Sequence, residues 1–252
     1  MEPSTLAFLA AAGFAGGFIN AAVGSGTLIT YPALLAAGIP PVAANGTNTA
    51  GLSPGSFSSA WAYRRELRDR LRVLRRPIVA SVIGAALGAC LVVALPDQVF
   101  TALVPWLVAL ATVLVAIQPL VLRWLRRRQG SAHTPDGRRL WPWSGAVGVY
   151  GGYFGAAQGV MLMAVLGLAY DADTQKSNGA KNLLAACANI TAAAVFAVSG
   201  EIVWLAALAV AVGSVPGGYV GGRISRRLPN YALRALVVLV GIGATLYLVV
   251  VR

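Results

Sequence analysis

The sequence predicts an all-α integral membrane protein, built as two inverted-topology repeats of about four hydrophobic segments each, the first segment of each repeat being broken and re-entrant. Three observations predict it: a shortage of charge, a glycine-rich block that recurs in the second half, and basic linkers that alternate out of step between the halves. Of 252 residues, 58% are apolar and only 11% charged, with a mean hydropathy of +0.72. A soluble chain carries roughly 25% charge, because its surface must be hydrated. A hydrocarbon core about 30 Å thick is crossed by roughly 20 apolar residues in a helix, and this chain offers such runs repeatedly.

Eight hydrophobic segments follow in order, at 5–37, 44–63, 77–95, 99–122, 141–169, 178–198, 202–222 and 231–250. The polar stretch from Arg123 to Arg139 divides them four and four. The expected organisation is therefore a first membrane repeat over 1–122, a basic linker over 123–140 and a second repeat over 141–252.

The first segment, Thr5 to Ala37, would be about 50 Å long as one helix at 1.5 Å per residue. That is too long for one span and too short for two with a turn. A break near Gly24-Ser25-Gly26 resolves this, giving two half-helices that enter and return. The segment Trp141 to Ala169 has the same character, with its break near Gln158-Gly159. The two openings also resemble each other. GFAGGFINAAVGSG (Gly13 to Gly26) is answered by GVYGGYFGAAQGVM (Gly148 to Met161), with identities at Gly16/Gly151, Gly17/Gly152, Ala21/Ala156, Ala22/Ala157 and Gly24/Gly159. Further on, Asn45-Gly46-Thr47-Asn48 is answered by Asn178-Gly179-Ala180-Lys181.

Charge sets the orientation. Cytoplasmic loops concentrate Lys and Arg, which places the seven arginines of 64–76 inside together with the basic runs 123–139 and 223–227. The counterpart of 64–76 in the second half is Ser199-Gly200-Glu201, and the counterpart of 223–227 in the first is Pro96-Asp97-Gln98. Equivalent loops thus lie on opposite sides, as in the inverted repeats of many secondary transporters. The stretch from Arg139 to Glu201 must cross an odd number of times yet holds two apolar segments, so one of them must return. Glycines four apart, such as Gly13/Gly17, Gly84/Gly88, Gly151/Gly155, Gly155/Gly159 and Gly213/Gly217, offer flat strips for close helix packing.

A net charge of +12 could suggest nucleic acid, but the arginines sit in short runs between apolar spans without the interleaved aromatics that stack bases. No nucleic-acid partner is expected. Cys90 and Cys187 lie within apolar spans and read as packing residues. His133 lies in the polar linker, and the opening Met1-Glu2-Pro3 lacks the basic region of a cleavable signal. All eight acids fall at segment ends or in linkers. No paired carboxylates, nucleophile–base set, metal cluster or phosphate loop is present, so neither an enzyme nor a cofactor is expected.

What remains is polarity at the breaks and on the segments that follow them. The candidate binding residues are Asn20, Gly24, Ser25, Gly26, Thr27, Asn45, Thr47 and Asn48 in the first half, with Thr49 and Ser53 beside them. In the second half they are Gln158, Gly159, Asn178, Lys181, Asn182 and Asn189, with Thr191 beside them. Lys181 stands out as a cation set in an apolar run, where charge is costly and a functional role is the default; the alternative is an ammonium that snorkels to the surface. Half-helix N-termini carry unsatisfied N–H groups and partial positive charge that attract anions. Two breaks meeting at the midplane would bind a small anion, and no buried carboxylate is available to hold a cation.

The blocks GGFINAAVGSGTLITYPALLAAGIPPVAANGTN (Gly16 to Asn48), GGYFGAAQGVM and NGAKNLLAACAN resemble the TauE/SafE family of sulfite and organosulfonate exporters. The resemblance covers essentially the whole chain. It implies a multi-pass inner-membrane protein that moves small sulfur-containing anions. The family often carries a glycine-richer run where this chain has Gly24-Ser25-Gly26-Thr27, and a Lys after the GTN motif where this chain has Thr49. The expected partners are the bilayer and a small anionic substrate, and the pattern admits a homo-oligomer. An anion channel, or a carrier of another small organic anion, are the alternatives; a non-transporting scaffold would have no use for broken helices.

Overall fold

A computed structural model describes residues 1–68, 70–128, 137–171, 173–224 and 230–250. The expected cytoplasmic runs 123–139 and 223–227 fall partly outside the described residues, as does His133. The described chain is helical: α1 (Pro3–Ala22), α2 (Thr27–Ala36), α3 (Pro41–Ala62), the short α4 (Arg64–Leu67), α5 (Leu71–Ala94), α6 (Asp97–Arg128), α7 (Gly137–Tyr153), α8 (Gln158–Ala169), α9 (Thr174–Val198), α10 (Trp204–Ile224) and α11 (Asn230–Val250). Six helices are long and apolar enough to cross a membrane, namely α1, α5, α6, α9, α10 and α11.

The surface is that of a molecule solvated by hydrocarbon. Large apolar side chains face outward along the spans, among them Trp106, Leu120, Val212 and Leu239, while the interior collects hydroxyls and amides. The core is mainly apolar as well, so the informative observation is the polar group buried within it. Helix α3 shows such burial most clearly. It is too polar to count among the spanning helices, yet Asn45, Thr47, Asn48, Thr49, Ser53, Ser56 and Ser59 are all buried in it. It survives because α9 and α10 enclose it, so its polar side chains bond to protein instead of lipid.

The elements pair in a repeating way. Helix α1 packs along α10, and α7 packs along α5. A Cβ on Gly13 or Gly17 would strike the backbone of Val210 or Ser214, and a Cβ on Gly148 or Gly152 would strike Ser81 or Ala85. Both seams advance four residues on each helix per contact, and glycines answer from the facing helices: Gly213 and Gly217 meet α1, Gly84 and Gly88 meet α7. Small residues permit this because lipid supplies no hydrophobic drive and van der Waals contact must do the work. The expected strips at Gly151/Gly155 and Gly155/Gly159 do not form, because α7 ends at Tyr153 and Gly155 lies in the break with φ +75°.

Loops gather by charge. Asp171, between α8 and α9, pairs with Arg70 of the arginine-rich linker at 3.1 Å and with Lys176 at 3.5 Å. The start of α7 is on the same side, since a Cβ on Gly137 would lie 2.5 Å from the Val73 carbonyl oxygen. At the other end of the bundle, Asp97 acts electrostatically on Glu201, and a Cβ on Gly46 would strike the Glu201 carbonyl. The polar linker is shorter than its composition suggests. Helix α6 runs on through Arg123 to Arg128, and α7 already begins at Gly137. Arginine is a good helix former, so a span continues past the hydrocarbon until something stops it.

Candidate functional site

Both long opening segments are interrupted where glycines replace helix formers. Helix α1 stops at Ala22 and α2 starts at Thr27; α7 stops at Tyr153 and α8 starts at Gln158. The turns use left-handed backbone at Gly24 (φ +92°) and Gly155 (φ +75°), and also at Ala157 (φ 59°), a conformation that costs a residue with a Cβ roughly 1–2 kcal/mol.

The two breaks cross at their glycines. The Gly159 amide donates to the Gly24 carbonyl at 3.0 Å. A Cβ on Gly24 would lie 2.5 Å from the Gly159 Cα, so the approach is backbone on backbone. This brings the turn between α1 and α2 onto the start of α8 inside the protein. Neither α2 nor α8 has a side-chain cap at its start. Ser25, Thr27 and Gln158 are all buried, so water does not reach these ends as it does at a surface helix. The first amides of α8 are nonetheless bonded, Gln158 to the Gly155 carbonyl at 3.2 Å, Gly159 to Gly24, and Val160 and Met161 to the Ala157 carbonyl at 3.0 and 3.2 Å; in α2, Leu28 and Ile29 bond to the Ser25 and Gly26 carbonyls at 3.2 and 3.0 Å. Ser25 Oγ in the first break and Gln158 Nε2 at the start of α8, the latter lying over Gly151, are buried without a hydrogen-bond partner, as is Asn182 Nδ2 on α9. An orphaned buried donor costs about 1–3 kcal/mol.

The other ends of the broken helices are satisfied by the opposite half. Lys181 of α9, 1% exposed, donates from Nζ to the Ala21 carbonyl at 2.9 Å and to the Asn20 carbonyl at 3.4 Å. It thus caps the C-terminal end of α1, where a cation is favoured by orphan carbonyls and by the helix dipole. The ammonium does not snorkel. Asn45 of α3 does the corresponding work for α7, its Nδ2 donating to the Tyr153 carbonyl at 2.9 Å.

The remaining candidates divide. Asn48 ties α3 to the start of α2: its Nδ2 donates to Thr27 Oγ1 at 3.1 Å, and its Oδ1 accepts a short bond from Thr30 Oγ1. Asn20 and Asn189 converge on one hydroxyl, donating to Ser56 Oγ at 3.1 Å and 3.4 Å. Thr47 is instead occupied at the Glu201 end of the bundle, where its Oγ1 accepts from the Val203 amide at 2.9 Å. Asn178 is half-buried toward the start of α9, away from the crossing. Gly26 packs on the Gly16 carbonyl and the Asn20 Cβ, closing the α1–α2 turn. Ser56 and Thr30 were not among the sequence candidates. Ser56 was within reach of the pattern, because Asn45, Asn48, Leu52 and Ser56 recur at helical spacing along one face of α3. Thr30 gave no such signal.

The sequence model of the sulfite exporter TauE/SafE family matches residues 9–248. A probable membrane transporter protein of Haemophilus influenzae is 28% identical over 240 residues, covering 95% of this chain and 92% of that protein. The probable membrane transporter protein ORF9 of a Sinorhizobium species is 28% identical over 249 residues, covering 96% and 92%. The probable membrane transporter protein YfcA of Escherichia coli K12 is 27% identical over 246 residues, covering 95% and 88%. No solved structure matches.

Proposed function

We propose, for a chain that belongs to the sulfite exporter TauE/SafE family, that it is a secondary transporter whose cargo is a small sulfur-containing anion, sulfite or an organosulfonate, bound where the two breaks cross and carried outward. The observation that carries this reading is the crossing of the two breaks at Gly24 and Gly159, with the buried donors Ser25 Oγ and Gln158 Nε2 unpartnered in them. A sulfur oxyanion presents three or more acceptor oxygens on a compact tetrahedral or pyramidal centre. It would take up hydroxyl and side-chain amide donors without needing a carboxylate or a metal. Lys181 stabilises this arrangement from behind, holding the α1 end in place while its charge favours an anion nearby.

The carrier reading rests on an inverted pair of repeats. Support comes from the exchange of partners, α1 on α10 and α7 on α5, in matching register, and from the reciprocal capping by Lys181 and Asn45. A re-entrant α7–α8 is supported by both of its ends meeting the same segment, Gly137 at Val73 and Asp171 at Arg70. Two such hairpins entering from opposite faces and touching at Gly24 and Gly159 would give a site that rocking of one half against the other opens alternately.

Proteoliposomes loaded with sulfite or sulfoacetate test the substrate class. Efflux should saturate and exceed that of empty liposomes; no flux for any sulfur anion would sink it. The Ser25→Ala variant sharpens the result. Ser25 Oγ bonds to nothing in the protein, so its removal should leave thermal stability within about 0.5 kcal/mol while weakening sulfite-dependent stabilisation severalfold.

A further inference from the structure

We infer that the trough between α5 and α7 is a binding site for an anionic glycerophospholipid, distinct from the crossing of the breaks. The trough encloses about 610 Å³. It exists because α5 and α7 approach on glycines, which leave no side chains to fill the space beside the seam. Val79, Ile83 and Leu87 stand along one wall at helical spacing, each more than half exposed, and Gly145 lies in the floor. This slot is apolar along its length and fits an acyl chain.

Its mouth is different in kind. Arg75 and Arg76 line it together with Trp141, and neither arginine forms an ion pair among the described residues. The preceding linker adds further arginines, so the field there is strongly positive. An indole beside two arginines at the end of a span marks headgroup depth, and basic pockets between membrane helices select anionic headgroups. The lipid phosphate would lie on the guanidinium pair, whose planar forks match phosphate oxygens, with the acyl chain along Val79 to Leu87. A zwitterionic lipid fills the slot equally well but brings a cationic group to a cationic mouth.

Native mass spectrometry on the detergent-solubilised full chain tests this, using phosphatidylglycerol and phosphatidylcholine of identical acyl chains. The wild type should retain phosphatidylglycerol on the order of tenfold more tightly, and the R75Q/R76Q variant should lose that preference. The R64Q/R65Q variant removes the same charge outside the trough and should keep it. Gly145→Leu should weaken both lipids by occupying the slot. Its Cβ would sit 3.6 Å from Ala80, an ordinary contact, so the helix pair should stand, as thermal unfolding would verify. Equal retention of the two lipids by the wild type, or equal losses in the two double variants, would overturn the assignment.

Discussion

A methyl group on Gly159 would run into the Cα of Gly24, and both partners in that clash are main chain. Side chains relieve crowding by changing rotamer, whereas here one break would have to be pushed off the other. Overpacking of a core costs about 1–3 kcal/mol, and this case belongs at the upper end. Gly159→Ala should therefore lower the unfolding temperature in detergent clearly and abolish transport. Gly38→Ala is the control for backbone strain without a clash. Gly38, unlike Gly159, has a positive φ (+81°), and nothing lies within 4 Å of its would-be Cβ. It should cost only the left-handed penalty of about 1–2 kcal/mol and leave transport intact. Equal damage from both variants would mean that the Gly24–Gly159 crossing is no more sensitive than an ordinary turn. The sequence revealed both glycines as breaks but could not reveal that they touch, because the contact joins positions in different halves. The same holds for Lys181: its place in an apolar run was legible, while its burial and its anchorage on the Asn20 and Ala21 carbonyls were not.

At the scale of elements, the legible features were those written in local pattern. The break in the first long segment followed from its length, the second from its likeness to the first and from the parity of crossings, and the polar residues of α3 stood out from the apolar runs around them. What stayed hidden was which helix encloses which, since α5 and α10 are uniform apolar spans that could pack anywhere. The loop between α9 and α10 shows what such packing does to chemistry. Burial raises the pKa of Glu201 above its ordinary 4.5, and the negative charge of Asp97, brought close by the α5–α6 loop, raises it further. The folded state therefore holds this proton more tightly than the unfolded chain. Its contribution to stability is full at low pH and is lost as pH rises from 4.5 through the raised folded value. Glu201→Gln, which stays neutral, should flatten the stability profile over that window and make the variant relatively more stable above it. Thermal unfolding at stepped pH reads this out; an unchanged profile would separate Glu201 from Asp97.

The whole molecule turns on whether its halves are inverted, which positive charge suggested and packing supports. In a background with Cys90 and Cys187 changed to Ser, single cysteines can report the side of each hairpin end by reaction with an impermeant maleimide on intact cells. If α1–α2 enters and returns at the outer face, cysteines replacing Ser4 and Ala36 should both react. If α7–α8 does the same at the inner face, cysteines replacing Arg139 and Asp173 should react only after permeabilisation. The physical basis is the segregation of loops: Asp171 pairs with Arg70 of the basic linker, while Glu201 shares its end with Asp97. Moving that basic linker to the outer face would oppose the positive-inside rule. Ser4 and Ala36 reacting from different sides would mean that the first hairpin crosses the membrane. Ala36 and Asp173 reacting from the same side would mean that the halves are parallel, and a parallel pair related by an axis along the membrane normal would bring the two breaks to the same depth without opposing entrances. Alternating access by rocking one hairpin against the other needs the opposed arrangement, so the pattern of four labels decides whether the Gly24–Gly159 contact can serve as a gate between two sides.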